Sequence, residues 1–145
     1  MPKGPTNSKL TASTEALPIL FFDGDCGLCT RSVRFLMRRD RAQRLRFAPL
    51  QGETAAALLE PKLRKSLSTV VYHRDSAPWL TRSDAVLHAL IDTRSAWRYL
   101  ARLALVVPRA WRDWIYDRIA QNRHRFLPKK ACPLPTAQER SRILP

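Results

Sequence analysis

No apolar stretch in this sequence is long enough to cross a bilayer. The longest, Leu103–Val107, stops at Pro108, whereas a spanning helix needs about 20 apolar residues. Cysteine is scarce, with only Cys26, Cys29 and Cys132. The leading segment, MPKGPTNSKLTASTEALP, lacks the apolar centre of a secretory signal. These features argue against a structural disulfide framework and make the cytoplasm the expected compartment, where paired cysteines serve catalysis or metal binding. Acidic residues are also few: 12 stand against 26 basic ones, for a net charge of +14. Such a field attracts anionic partners. Yet the 20 arginines are spread over every predicted helix, no run of five basic residues occurs, and no nucleic-acid-binding motif is visible. Specific nucleic-acid binding is therefore not expected. No internal repeat is present, and 145 residues suffice for one domain with a real core.

The chain is organised around Pro18–Arg39, PILFFDGDCGLCTRSVRFLMRR. An apolar run, Ile19–Phe22, leads into Asp23-Gly24-Asp25, then Cys26 and Cys29, then residues at helical spacing. This reads as strand, tight turn and helix, with the C-x-x-C pair at the turn-to-helix junction, the form of a thioredoxin-like redox site. On the first helical turn, residues i and i+3 share a face with Cβ atoms about 5–6 Å apart, close to disulfide geometry. The positive helix N-terminus stabilises a thiolate there. Cys26, nearer the helix start, is expected to be the more exposed and to attack; Cys29, one turn in, is expected to resolve the mixed disulfide. Asp23 and Asp25 work against the dipole, since nearby negative charge raises a thiol pKa. Asp25 is expected to cap the helix. For Asp23, at the strand end, a turn role competes with that of proton acceptor for Cys29.

Residues 1–16 read as a tail. Strands are expected at Leu17–Phe22, Leu45–Leu50, Thr69–Tyr72 and Pro78–Thr81, the last two as a hairpin. Helices are expected at Gly27–Arg39, Glu53–Lys65 (started afresh or kinked at Pro61) and Ser83–Ile91, with Ser83 as N-cap. Two further helices, Ser95–Val107 and Arg109–Asn122, carry Trp97, Trp111, Trp114 and Tyr116 at a spacing that reads as core. The order β-α-β-α-β-β-α makes an α/β fold, a thioredoxin-like core over 17–92 with a helical extension over 93–126 of the same domain and a Pro-rich basic tail over 127–145.

The segments FFDGDCGLCTRSVRFLMRRD, LRFAPLQ, TRSDAVLHAL and ACPLP, in that order, resemble the DCC family of thiol–disulfide oxidoreductases, named for its Asp-Cys-x-x-Cys motif. The resemblance covers about residues 18–140. It implies a thioredoxin-like fold and a redox role, and its motif residues fall on Asp23, Asp25, Cys26 and Cys29, with Ser83 and Asp84 in its second segment. It implies a chemistry class better than a substrate; the expected partners are a disulfide-containing protein or small thiol substrate and an external reductant, and no cofactor or metal is expected. One departure from thioredoxins themselves is the absence of a proline before the third strand, where Ser68 precedes Thr69.

Three other readings compete. Cys26, Cys29, Cys132 and one of His73, His88 or His124 would make a Cys3His zinc site in a structural or interaction module, but no second close ligand pair exists. The Asp-x-Asp after a strand resembles the start of haloacid-dehalogenase-type phosphotransferases, but the later acidic pair they need is missing. A binding module with an inert cysteine pair would present the aromatic C-terminal helices to a partner. Cys132 itself reads as a backup resolving thiol, a glutathionylation site or a small buried residue.

Overall fold

The computed structural model describes residues 17–65, 70–74, 78–122, 125 and 136–145. Cys132, His124, Ser68 and Thr69 lie outside the described residues. Strand β1 (Ile19–Phe22) leads into helix α1 (Gly27–Arg39), and strand β2 (Arg46–Pro49) returns beside β1. Two short helices follow, α2 (Glu53–Leu58) and α3 (Pro61–Lys65), then strands β3 (Val71–His73) and β4 (Leu80–Thr81) and helix α4 (Arg82–Asp92). Helices α5 (Trp97–Leu105), α6 (Arg109–Gln121) and α7 (Ala137–Arg140) complete the described chain. Pro61 thus starts a new helix, one of the two outcomes its fixed φ allowed.

The four strands form one sheet in the order β2-β1-β3-β4. β1 pairs with β2 in parallel, Ile19 opposite Arg46 and Phe22 opposite Pro49. It pairs with β3 antiparallel, Leu20 opposite Tyr72, and β4 closes the hairpin, Tyr72 opposite Leu80. This is a mixed α/β architecture compatible with a thioredoxin-like fold.

The unbroken apolar run of β1 follows from its place in the sheet, with both faces covered. Leu20 and Phe22 pack with Val33, Leu36 and Met37 of α1, Phe47, Tyr72, and Ala85 and Ala89 of α4. Ile19 and Phe21 point the other way, to Ala48, Leu50, Val71, and Ala55 and Leu59 at the α2 end. Alternation with period two sends neighbouring residues to opposite faces.

Residues 136–145, the end of the segment read as a tail, pack on the sheet. Ile143 makes a parallel bridge to Phe47. The Phe47 amide donates to the Arg142 carbonyl at 3.1 Å, and the Leu144 amide donates to the Phe47 carbonyl at 2.7 Å. The open edge of β2 is thereby covered, as exposed sheet edges usually are. The anchor is an ion pair between Arg142 and Asp40, both buried. Asp40 also accepts the Arg44 and Leu45 amides at 3.0 and 2.8 Å, while Arg142 donates to the Met37 carbonyl at 3.1 Å.

Arg142→Met leaves the Asp40 carboxylate buried without its cation. Breaking one side of such a pair costs about 3–5 kcal/mol, and urea denaturation is expected to show a loss of that size. A loss under about 1 kcal/mol, the size of a surface pair, would show that the C-terminal segment is not held this way.

Candidate active site

The C-terminal ends of β1 and β2 lie side by side because the strands are parallel, and the turns leaving them meet. The Asp23 carboxylate, 5 % exposed, sits between these turns. Its Oδ1 accepts the Asp25 amide at 3.0 Å and the Gln51 side-chain amide at 2.7 Å. Gln51 Oε1 in turn accepts the Gly24 amide at 3.2 Å. A Cβ on Gly24 would stand 3.3 Å from Pro49 Cβ, so this close approach of the two turns favours glycine.

The helix cap differs from expectation. The N-cap residue is Cys26, extended at φ −95° and ψ 120°, and its Sγ accepts the Cys29 amide at 3.5 Å. Asp25 stands one residue before the cap, and its own amide donates to Asp23 Oδ1. Its side chain is exposed. The Cys26 amide donates to the Asp23 carbonyl at 3.2 Å, tightening the turn so that the helix starts at the cysteine.

Exposure is also the reverse of expectation. Cys26 is buried at 3 % exposure, and Cys29 is half-buried; both are free thiols. Burial pushes the Cys29 thiol up to about 12, helped by the charge and sulfur hydrogen bond of Cys26 and by the Asp23 carboxylate, against a smaller opposing pull from the Asp23 backbone amide. Cys29 lines an apolar groove of about 480 Å3 whose walls include Leu28 and Phe35 of α1 and Tyr116 and Ile119 of α6.

Asp23, Asp25, Cys26 and Cys29 thus come together as expected, and the structure adds Gln51, which sequence reasoning passed over. The available signal was its position as the second residue after β2, the strand expected to lie parallel beside β1. Ser83 does not cap α4; the N-cap position is Thr81. The Ser83 hydroxyl donates to Asp113 of α6 instead, and Asp84, in the first turn as expected, receives Arg112 at 2.6 Å. Both lie away from the cysteines in their bonding. The histidines have other neighbours: His73 stacks on Trp79 at 4.0 Å, and His88 Nδ1 lies 3.4 Å from Arg74. Among the described residues no group of three or more His, Cys, Asp or Glu is placed to hold a metal ion.

The Cys29 shift makes two measurable demands. At pH 8 a thiol raised from 9.0 to about 12 carries roughly a thousandth of the ordinary thiolate. A short iodoacetamide pulse on reduced protein, read by site-resolved mass spectrometry, is expected to label Cys29 far more slowly than the unfolded chain. The native state also holds this proton more tightly than the unfolded state, so its stabilising contribution is complete below pH 9 and lost as pH rises towards 12. Reduced wild type should lose stability across that window more steeply than Cys29→Ala.

Comparison with known proteins agrees with this geometry. A family model described as DCC1-like thiol-disulfide oxidoreductase matches residues 20–129. The uncharacterized protein YuxK of Bacillus subtilis is 33 % identical over 138 residues, covering 92 % of this chain and 99 % of YuxK. A chloroplastic DCC family protein of Arabidopsis thaliana is 32 % identical over 109 residues, covering 74 % of this chain and 63 % of that protein. No solved structure gives a significant match. With its paired cysteines at the head of α1 and the family match across most of its length, the chain belongs to the DCC1-like thiol-disulfide oxidoreductase family.

Proposed function

We propose that the protein is a disulfide reductase that cycles Cys26 and Cys29 between dithiol and disulfide. The observation that carries this reading is the asymmetry of the pair. Cys29 is held protonated by burial and by the charge of Cys26. Cys26 caps a 13-residue helix and accepts the Cys29 amide, so its sulfur faces the positive end of the helix dipole. The greater exposure of Cys29 favours the opposite assignment, but a thiol with a pKa near 12 is a poor nucleophile at neutral pH.

In the cycle, the Cys26 thiolate attacks one sulfur of the substrate disulfide. The substrate S–S bond breaks, one substrate thiolate leaves and takes a proton, and a Cys26–substrate disulfide remains. Cys29 then gives its proton to the Asp23 carboxylate, whose negative charge already acts on that thiol. The Cys29 thiolate attacks the Cys26 sulfur and releases the second substrate thiolate, which recovers the proton. The substrate gains two electrons, the protein holds a Cys26–Cys29 disulfide, and an external thiol reductant restores it. Gln51 positions Asp23. Asp25, exposed beside Cys26, adds negative charge at the rim of the site. The substrate is a disulfide-containing protein or a small thiol disulfide that reaches a nearly buried sulfur, with the groove beside Cys29 to receive an apolar flank.

The test is a titration of the full chain in glutathione buffers, with alkylation and mass readout and a zinc assay on the same sample. A reversible two-electron transition without metal is expected. Cys26→Ser should abolish disulfide reduction, and Cys29→Ser should accumulate a mixed disulfide at Cys26. If the mixed disulfide forms at Cys29 in Cys26→Ser and none forms in Cys29→Ser, the two roles are exchanged. Stoichiometric zinc with thiols that oxidise only after chelation would replace the redox reading with a metal-bound module.

A further inference from the structure

Helix α6 is turned with its polar side inward. Arg112 reaches Asp84 of α4 at 2.6 Å and the Ser83 hydroxyl at 3.3 Å. Asp113 accepts from Ser83, and Asp117 faces Arg82 at 3.8 Å. The Tyr116 hydroxyl accepts the Val70 amide at 3.1 Å. These ties fix the rotation of the helix and leave its apolar side outward. Trp111 is 70 % exposed and Trp114 60 %, with Ile115 and Ile119 beside them. The sequence expectation that these tryptophans are core is thus reversed, while Tyr116 does pack against the core.

Helix α5 and its connection to α6 also expose apolar residues. Leu100 and Leu103 are exposed, and Val106, at the α5–α6 connection, is 80 % exposed. Apolar patches of this extent on a folded chain mark interaction sites. The charge around it is predominantly positive. Between residues 97 and 121 there are five arginines and two carboxylates; Arg109 and Arg112 pair with Asp84 and Asp113, and Asp117 makes a half-exposed pair with Arg82. Arg98 and Arg102 of α5 also line a cavity of about 560 Å3 with Arg44, Arg74 and Arg94, whose carboxylate, Asp92, is engaged by Arg74 at 2.8 Å.

We propose that the exposed apolar residues of α6 and of the α5–α6 connection are a docking face for an anionic lipid surface. Leucine, valine and tryptophan side chains would enter the headgroup–acyl boundary, led by the connection at Val106, while the arginines bind lipid phosphates. Their alkyl stems suit them to that boundary. The binding is peripheral, because no helix among the described residues is long and apolar enough to cross a membrane. A second copy of the chain is the poorer occupant, since each copy carries a net charge of +14 and the two would repel. Because Ile119 belongs both to this face and to the wall of the groove beside Cys29, docking would hold that groove next to the lipid.

The test is flotation of the full chain with phosphatidylcholine vesicles, with and without phosphatidylglycerol. Flotation is expected with the anionic vesicles, is expected to fall with added salt, and is expected to be lost in the Val106→Ser/Trp111→Ser variant, whose fold circular dichroism checks. Arg102→Gln and Arg118→Gln should each weaken partitioning about fivefold. Equal flotation with pure phosphatidylcholine, no flotation with either vesicle, or unchanged flotation of the double variant would overturn the proposal. So would a wild-type dimer in size-exclusion chromatography that Trp111→Ser converts to monomer, since that outcome assigns the face to a second copy.

Discussion

Asp40 carries a buried carboxylate at the point where α1 ends and the chain turns back towards β2. Its oxygens accept the Arg44 and Leu45 amides and the Arg142 guanidinium. A carboxylate taken out of water must be met by donors on this scale or its burial is very unfavourable. The bonds to Arg44 and Leu45 set the direction in which β2 starts, and the bond to Arg142 brings the C-terminal segment against the far edge of that strand. β2 is therefore held from its start and along its outer side. Its other end delivers Gln51 to Asp23. The geometry around the cysteines thus depends on a charge pair that touches none of them.

Two fields meet at the head of α1. The Cys26 sulfur accepts a helix amide, while burial, the charge of Cys26 and the Asp23 carboxylate raise the Cys29 thiol. The two sulfurs differ in their partners: Cys26 takes the amide, and Cys29 lines the groove. The hydrogen bond between the sulfurs strengthens the split, because a proton held on Cys29 is a donor to Cys26.

The parts of the fold written in local pattern were legible. The apolar run of β1, the helical spacing after Cys26 and the β-branched Val71 strand fixed the order of elements and placed the cysteine pair at a helix start. What local pattern could not supply was competition between neighbours. Asp25 is the better capping residue by type, but it stands one residue early, its amide donating to Asp23, and the cap is Cys26. Ser83 is likewise a good cap in isolation, yet its hydroxyl is used by Asp113, 30 residues along the chain. Gln51 and Arg142 act across 28 and 102 residues; only the place of Gln51 just after the expected parallel strand hints at its contact, and nothing local signals that of Arg142.

Helix α6 shows a further limit of periodicity. An apolar stripe identifies two faces of a helix and does not say which one turns inward. Here Trp111, Trp114 and Ile115 lie on one side, while Arg112, Asp113, Tyr116 and Asp117 lie on the other, and α4 offers Arg82, Ser83 and Asp84 to the polar side. Turning the tryptophans inward would strand those charges against one another's former partners. Exposed ion pairs add little singly, but Arg112 and Asp84 are largely covered, at 12 % and 15 % side-chain exposure, and leaving either alone is costly. The helix therefore keeps its polar side inward although burying two tryptophans would gain more area. An arrangement that forgoes that gain leaves Trp111 and Trp114 exposed.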